Sequence, residues 1–353
     1  MTIWRLPYRG FRQTQTGEPV ERQPAAQPAW RVPRRVLALL IAGLGIVSYF
    51  AVIRRPDSDL ANYRALVQVV GSCSSFDCIS SAGDEVSLGV LRDEAFAFFL
   101  VPFLGNDDLA VAALTIAIYA GLVFGILRIC AAASLLPDVP SATFIFAAVL
   151  TIIPITLATH LLRQCVAMSL VVLAGSVRTK LHLVALITLA VVIHRGAATI
   201  GIVALLVPTS VLVGAVLLAL PFWETLIPPD VATYATTEQR ANVLLIYVFA
   251  ALCVVLYVKC RKISPTAARL ALGAGVQVLA VTLAFGEGLA ATRTLTSSLI
   301  IALPAAVVFV LSIAHSFPRQ LQAFGLFALA MALVVTSGLR DAASPFTYDF
   351  PRW

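Results

Sequence analysis

Long apolar runs alternate with short polar segments along most of the chain. Most of these runs approach the roughly 20 residues that an α-helix needs to cross a bilayer. They cover about 36–53, 108–127, 141–159, 162–177, 181–194, 196–207, 209–222, 242–258, 267–285, 296–314 and 320–337. The pattern predicts an all-α, polytopic membrane protein with about 10–11 transmembrane helices.

Three apolar segments are too short to cross a bilayer as single helices. The runs 196–207 and 209–222 either join into one long helix or form a hairpin or re-entrant pair near Pro208. The basic segments "SVRTK" and "KCRK" are both predicted to lie inside the cell, so the chain between them crosses the membrane an even number of times. Two crossings near Pro208 satisfy this condition, whereas one long helix does not. The stretch "AFAFFLVPFL" (95–104) is predicted to be an interfacial or re-entrant segment.

Charge fixes the orientation of these helices. Only 12% of the residues are charged, about half the share in a soluble domain. When the Arg-rich tail 1–35 is placed in the cytoplasm, the inside segments hold fifteen Lys and Arg against three acids. This bias agrees with the positive-inside rule. It predicts a cytoplasmic tail 1–35, a transmembrane domain 36–338 with an outward loop 54–107, and a periplasmic tail 339–353.

Polar and ionisable residues, whose placement near a bilayer costs free energy, cluster at the predicted outer ends of the helices. Ionisable groups near the bilayer are functional candidates. In "THLLRQCVAMSL" (159–170), helical spacing places His160, Arg163 and Gln164 on one face. The neighbouring outer ends carry His194, Arg195 and Arg293. A guanidinium in such a place matches an anion such as phosphate, although an arginine that only reaches for lipid headgroups remains an alternative.

The sequence contains no motif for a metal site, a phosphate-binding loop or a nucleophile elbow. No Cys and His cluster has metal-ligand spacing, and no glycine-rich phosphate loop or nucleophile elbow is present. Cys73 and Cys78, in the outward "CSSFDC", either form a small disulfide or remain two free thiols. The sequence therefore predicts no metal, no cofactor and no nucleic-acid partner.

At these residues the chain resembles the EpsG family of Wzy-like exopolysaccharide polymerases. The outward loop has an acidic residue followed by tyrosine, in "DLANY" with Asp59 and Tyr63. A glutamate before an aromatic follows, in "RDEAFAFF" with Glu94. The most specific match is the block 160–198, with "RQCVA", a basic loop and a helix that ends in His194. Ala95 departs from the proline that the family usually has there.

The resemblance implies a GT-C-like glycosyltransferase of the bacterial inner membrane. Such polymerases join oligosaccharide repeat units carried on polyprenyl diphosphate at the outer face, without a cofactor. Chain-length regulators and export proteins would be further partners. Two other classes stay open: a lipid-linked oligosaccharide ligase or related GT-C enzyme, and a non-enzymatic flippase for the same lipid.

Residue roles follow from the chemistry of that reaction. Arg163 is the first choice for binding the diphosphate, with Arg195 or Arg293 as a second clamp. His194 or Glu94 is expected to accept the acceptor hydroxyl's proton, and Asp59 is a third candidate. The remaining substrate-binding candidates are Gln164, expected to orient Arg163 or a sugar hydroxyl, and His160 and Tyr63.

Overall fold

The computed structural model describes residues 59–85, 94–135, 138–153, 161–194, 204–206, 211, 243–285 and 289–343. Every regular element within these ranges is helical, so the predicted all-α class is confirmed. The predicted cytoplasmic tail 1–35, the first apolar run 36–53 and the last residues 344–353 lie outside the described residues. So does nearly all of the proposed pair around Pro208.

The helices of the described part are numbered here in chain order. They are α1 (Asp59–Ser72), α2 (Phe76–Glu85), α3 (Glu94–Leu100), α4 (Asp107–Ala132), α5 (Val139–Ile152), α6 (Leu162–Ser176), α7 (Lys180–Ile193), α8 (Val243–Cys260), α9 (Pro265–Phe285), α10 (Leu289–Ala314) and α11 (Arg319–Ala343). A 3-10 turn, Val101–Phe103, follows α3.

Helices α4, α9, α10 and α11 are long and apolar enough to cross a membrane, judged by length and composition. Helices α5, α6, α7 and α8 are apolar but shorter. The described part therefore contains the apolar helices that the hydrophobic pattern predicts in these ranges. Segment 95–104 forms the short α3 and the 3-10 turn, and at about 1.5 Å per residue neither is long enough to span a bilayer.

Two helix boundaries differ from the apolar runs by seven residues, the largest differences in the described part. Helix α5 ends at Ile152, whereas its run extends to 159, because Ile153 precedes Pro154 and adopts the extended φ of −122°. A residue before proline disfavours the helical region. Helix α10 begins at Leu289, seven residues before its run, so Arg293 lies inside the helix rather than ahead of it. A run of apolar residues is interrupted by Arg293 and Thr294, although both residues can be part of an α-helix.

Helix α1 packs against α4, and α1, α2 and α3 pack against one another. Arg64 of α1 forms a 2.7 Å salt bridge with Asp108 and contacts Asp107, both in the first turn of α4. Gly71 lies so close to the loop after α3 that a Cβ there would stand 2.3 Å from the Cα of Gly105. Only glycine at position 71 permits this approach.

A disulfide closes the turn between α1 and α2. Cys73 and Cys78 are bonded, with their Cα atoms 5.5 Å apart. Of the two states that the sequence left open, the structure therefore contains the disulfide. Within the enclosed turn, Phe76 stacks on Phe98 of α3 with ring centroids 4.7 Å apart. The closed turn thus helps to hold α3 in place.

Small residues let α4 and α6 approach each other closely. Gly121 and Gly125 lie one helical turn apart on α4. A Cβ on Gly125 would stand 2.9 Å from the side chain of Val172 and 3.1 Å from the backbone of α6. Small residues at this spacing are a common way to bring two membrane helices into contact. The contact sets the position of α6, which carries Arg163 and Gln164.

The chain that leads from α5 toward α6 is also tied to α4. The hydroxyl of Tyr119, which is fully buried, donates a 2.9 Å hydrogen bond to the carbonyl oxygen of Ile153. The last carbonyls of a helix have no partner within the helix, and in an apolar setting each must find one elsewhere. Tyr119 supplies that partner at the end of α5.

Candidate functional site

The first turn of α6 carries the two residues at the centre of the candidate site. The helix begins at Leu162, and its N-cap residue, Leu161, provides no side-chain cap. Arg163 and Gln164 are the second and third helical residues. The amino-terminal end of a helix carries partial positive charge and exposed N–H groups, so it favours an anion. The guanidinium of Arg163 adds a full positive charge at the same place.

An aromatic pair supports Arg163 from outside the helix. The Cζ atom of Arg163 lies 5.5 Å from the ring centroid of Phe96 on α3, within the range of a cation–π interaction. Phe96 is buried and meets the ring of Tyr63 edge to face at a centroid distance of 6.1 Å. Tyr63 is itself buried, so the structure places it behind Phe96, where it supports the ring next to Arg163.

Gln164 joins α6 to α10. Its Nε2 atom donates a 2.8 Å hydrogen bond to the carbonyl oxygen of Arg293 and a second bond to the hydroxyl oxygen of Ser297. The Ser297 hydroxyl in turn donates to the carbonyl oxygen of Arg293 at 3.1 Å. Gln164 is buried, with 6% of its surface exposed. Its amide thus connects two helices that lie 129 residues apart in sequence.

His194 stands at the same end of the bundle, just after the last residue of α7. Its backbone N–H donates a 2.9 Å hydrogen bond to Ala190, which completes the last turn of the helix. Burial, together with the positive charges of Arg163 and Arg293, lowers the pKa of the His194 imidazole to about 4. The ring is therefore neutral at neutral pH, and one ring nitrogen can accept a proton or a hydrogen bond.

The structure brings together Arg163, Gln164, His194 and Arg293 from α6, α7 and α10. The sequence predicted that these residues lie at the same end of the helix bundle, because each stands at the predicted outer end of its helix. Asp59 and Glu94 are the first residues of α1 and α3, respectively, and their backbone alone is described. His160 and Arg195 lie outside the described residues.

Two contributors were missed as site residues in the sequence. Ser297 follows Arg293 by one helical turn in "TRTLTSS", and this spacing was a signal that α10 presents a polar face there. Phe96 was noticed only as the aromatic residue of a motif, and nothing local in the sequence indicates its contact with Arg163.

The electrostatics of this cluster favour an anion with more than one charge. The positive charges of two guanidinium groups act on one half-buried imidazole. The Nε atoms of both arginines are buried, so water screens these charges poorly. A ligand with two adjacent phosphates would supply matching charge to both. Among the residues that the structure describes, no group of three or more His, Cys, Asp or Glu has a geometry suited to a metal ion.

Comparison of the chain with protein-family models, with curated proteins and with solved structures finds no match.

Proposed function

We propose that the chain is a polysaccharide polymerase of the bacterial inner membrane that joins oligosaccharide repeat units carried on polyprenyl diphosphate. The observation that supports this most is the convergence of Arg163 and Arg293 on the half-buried, neutral His194 at one end of a bundle of apolar helices. Two fixed positive charges suit a diphosphate, and a neutral imidazole suits the removal of a proton from a sugar hydroxyl.

In the proposed reaction, two lipid-linked glycans lie in line at this site. The hydroxyl oxygen of one glycan forms a bond to the anomeric carbon of the other. The bond from that carbon to the diphosphate oxygen breaks, and polyprenyl diphosphate leaves with the electron pair. Arg163 and Arg293 stabilise the charge that develops on the diphosphate, and His194 accepts the hydroxyl proton. Glu94 and Asp59 are the alternative bases.

The proposed fold is GT-C-like, with about 10–11 transmembrane helices. The eight apolar helices of the described part and the predicted segments 36–53, 196–207 and 209–222 together account for that number. The amino terminus is inside, so the cluster around Arg163 faces the periplasm. This orientation rests on the excess of Lys and Arg in the inside segments.

A strain that lacks the chain tests the proposal and separates it from its alternatives. We expect single repeat units linked to polyprenyl diphosphate to accumulate in the outer leaflet, because the units are flipped but not joined. Accumulation in the inner leaflet would indicate a flippase. Accumulation of finished long polymer on the lipid would indicate a ligase. The leaflet is read from the accessibility of the glycan to an impermeant lectin in intact spheroplasts.

A further inference from the structure

Gln164 makes the polar connection between α6 and α10 at the level of the site. Its amide donates to two acceptors on α10 that lie one helical turn apart, the carbonyl oxygen of Arg293 and the hydroxyl of Ser297. Ser297 also donates to the same carbonyl at 3.1 Å, so the three groups form one small closed network. Gln164 and Ser297 are both buried, so water does not compete for these bonds.

This network links the backbones of the two arginines by a very short path. The Cα atoms of Arg163 and Gln164 are neighbours about 3.8 Å apart. From Gln164, one side chain and one 2.8 Å hydrogen bond lead to the peptide carbonyl of Arg293 itself. Movement of α10 along or around its axis would break this bond. The spacing between the backbones that carry the two arginines therefore depends on Gln164.

The direction of the side chains fits this arrangement. Successive residues on an α-helix point about 100° apart. Gln164 is directed at α10, and Arg163 points around the helix toward Phe96 of α3. Exchanging the two residues would turn the guanidinium toward α10 and the amide toward the aromatic pair. The order Arg-Gln thus directs the guanidinium group toward α3 and the amide toward α10.

We infer that Gln164 is a positioning residue that holds Arg293 at a fixed distance from Arg163, so that the two guanidinium groups can bind the two phosphates of one diphosphate. The diphosphate in this inference rests on the proposed function, whereas the positioning of Arg293 by Gln164 does not. The sequence-based expectation that Gln164 orients Arg163 or a sugar hydroxyl stays a separate prediction.

A double-mutant cycle distinguishes positioning from general support of the bundle. Gln164→Met keeps a similar volume and removes the donor. We expect it to weaken binding of farnesyl diphosphate about tenfold in otherwise unchanged protein, as the loss of one or two neutral hydrogen bonds would. In an Arg293→Ala background it should weaken binding less than about twofold, because the group that it positions is gone. Binding is measured by titration calorimetry on the full chain in lipid nanodiscs.

A matched control removes a different interhelical hydrogen bond. The hydroxyl of Thr151 on α5 shares its proton between the carbonyl oxygen of Ala147 in the same helix, at 2.8 Å, and that of Leu333 on α11, at 3.1 Å. Thr151→Val removes both contacts at nearly constant volume. We expect Thr151→Val to leave farnesyl diphosphate binding unchanged. If Gln164→Met weakens binding equally with and without Arg293, or if Thr151→Val weakens it as much, Gln164 only supports the bundle and the inference is overturned.

A second readout does not depend on the ligand. The rates at which phenylglyoxal modifies Arg293 and Arg163 can be followed by mass spectrometry of their peptides. In Gln164→Met we expect Arg293 to react several-fold faster than in the unchanged protein, and Arg163 to react at its original rate. An equal acceleration of both arginines, or of neither, would overturn the positioning role. If the unchanged protein fails to bind farnesyl diphosphate, the proposed function of the site falls, and these rates still decide the role of Gln164.

Discussion

Replacing Arg163 with lysine is expected to reduce polymer formation almost as severely as replacing it with alanine, by about 100-fold or more in each case. Lysine keeps the charge but loses the planar fork that binds phosphate through two parallel hydrogen bonds. It also loses the contact between the guanidinium group and Phe96, whose ring centroid lies 5.5 Å from Cζ of Arg163. The measurement is polymer made per unit of chain in the membrane.

The comparison needs two further variants. Gln164→Ala should lose less than either Arg163 variant, because it removes neutral hydrogen bonds and leaves both guanidinium groups in the site. Arg319→Lys, at an exposed position at the start of α11, should be close to unchanged. A fully active and normally expressed Arg163→Lys would refute the phosphate clamp. Arg163 would then be an arginine that anchors a helix end in lipid headgroups.

The second large effect is expected at His194. His194→Gln keeps a polar side chain that can form hydrogen bonds but cannot take a proton at these pH values. If His194 is the base, polymer formation should fall about 100-fold or more. Activity close to that of the unchanged chain in His194→Gln would transfer the role of base to Glu94 or Asp59.

The dependence of activity on pH gives a second test of His194 as the base. Burial and the charges of Arg163 and Arg293 lower the pKa of His194 to about 4, from a usual value near 6.5. A base must be unprotonated, so activity should persist as the pH falls through 6.5 and decline only as it approaches 4. In Arg293→Ala one of the positive charges is removed, the pKa rises, and the residual activity should decline at a higher pH. An acid limb near 6.5 in the unchanged chain would contradict the environment described for His194.

The helices, and the meeting of the site residues at one end of the bundle, were largely predictable from the sequence. A helix in a membrane must present an apolar run, so α4 to α11 are visible as hydrophobic stretches. Because successive membrane helices alternate in direction, Arg163, His194 and Arg293 were expected at one end of the bundle. That expectation depends only on the order of the helices and required no contact between side chains.

The contacts within the site were not predictable in the same way. The bond from Gln164 joins residues 129 positions apart, and the sequence carries no local sign of its partner. The start of α10 was placed too late, because a run of apolar residues ends at Arg293 while the helix does not. The spacing of Cys73 and Cys78 suited either redox state, and the position of the end of α1 against the start of α2 decides between them.

The most direct test of the polymerase proposal uses the purified chain alone. Lipid-linked single repeat units, extracted from a strain that lacks the chain, are mixed with the full chain in lipid vesicles. We predict a ladder of lipid-linked glycans that differ by one repeat unit, with one polyprenyl diphosphate released for each bond formed, and no ladder with Arg163→Ala. Repeat units that stay single in the presence of folded, unchanged chain, with no polyprenyl diphosphate released, would contradict the proposal.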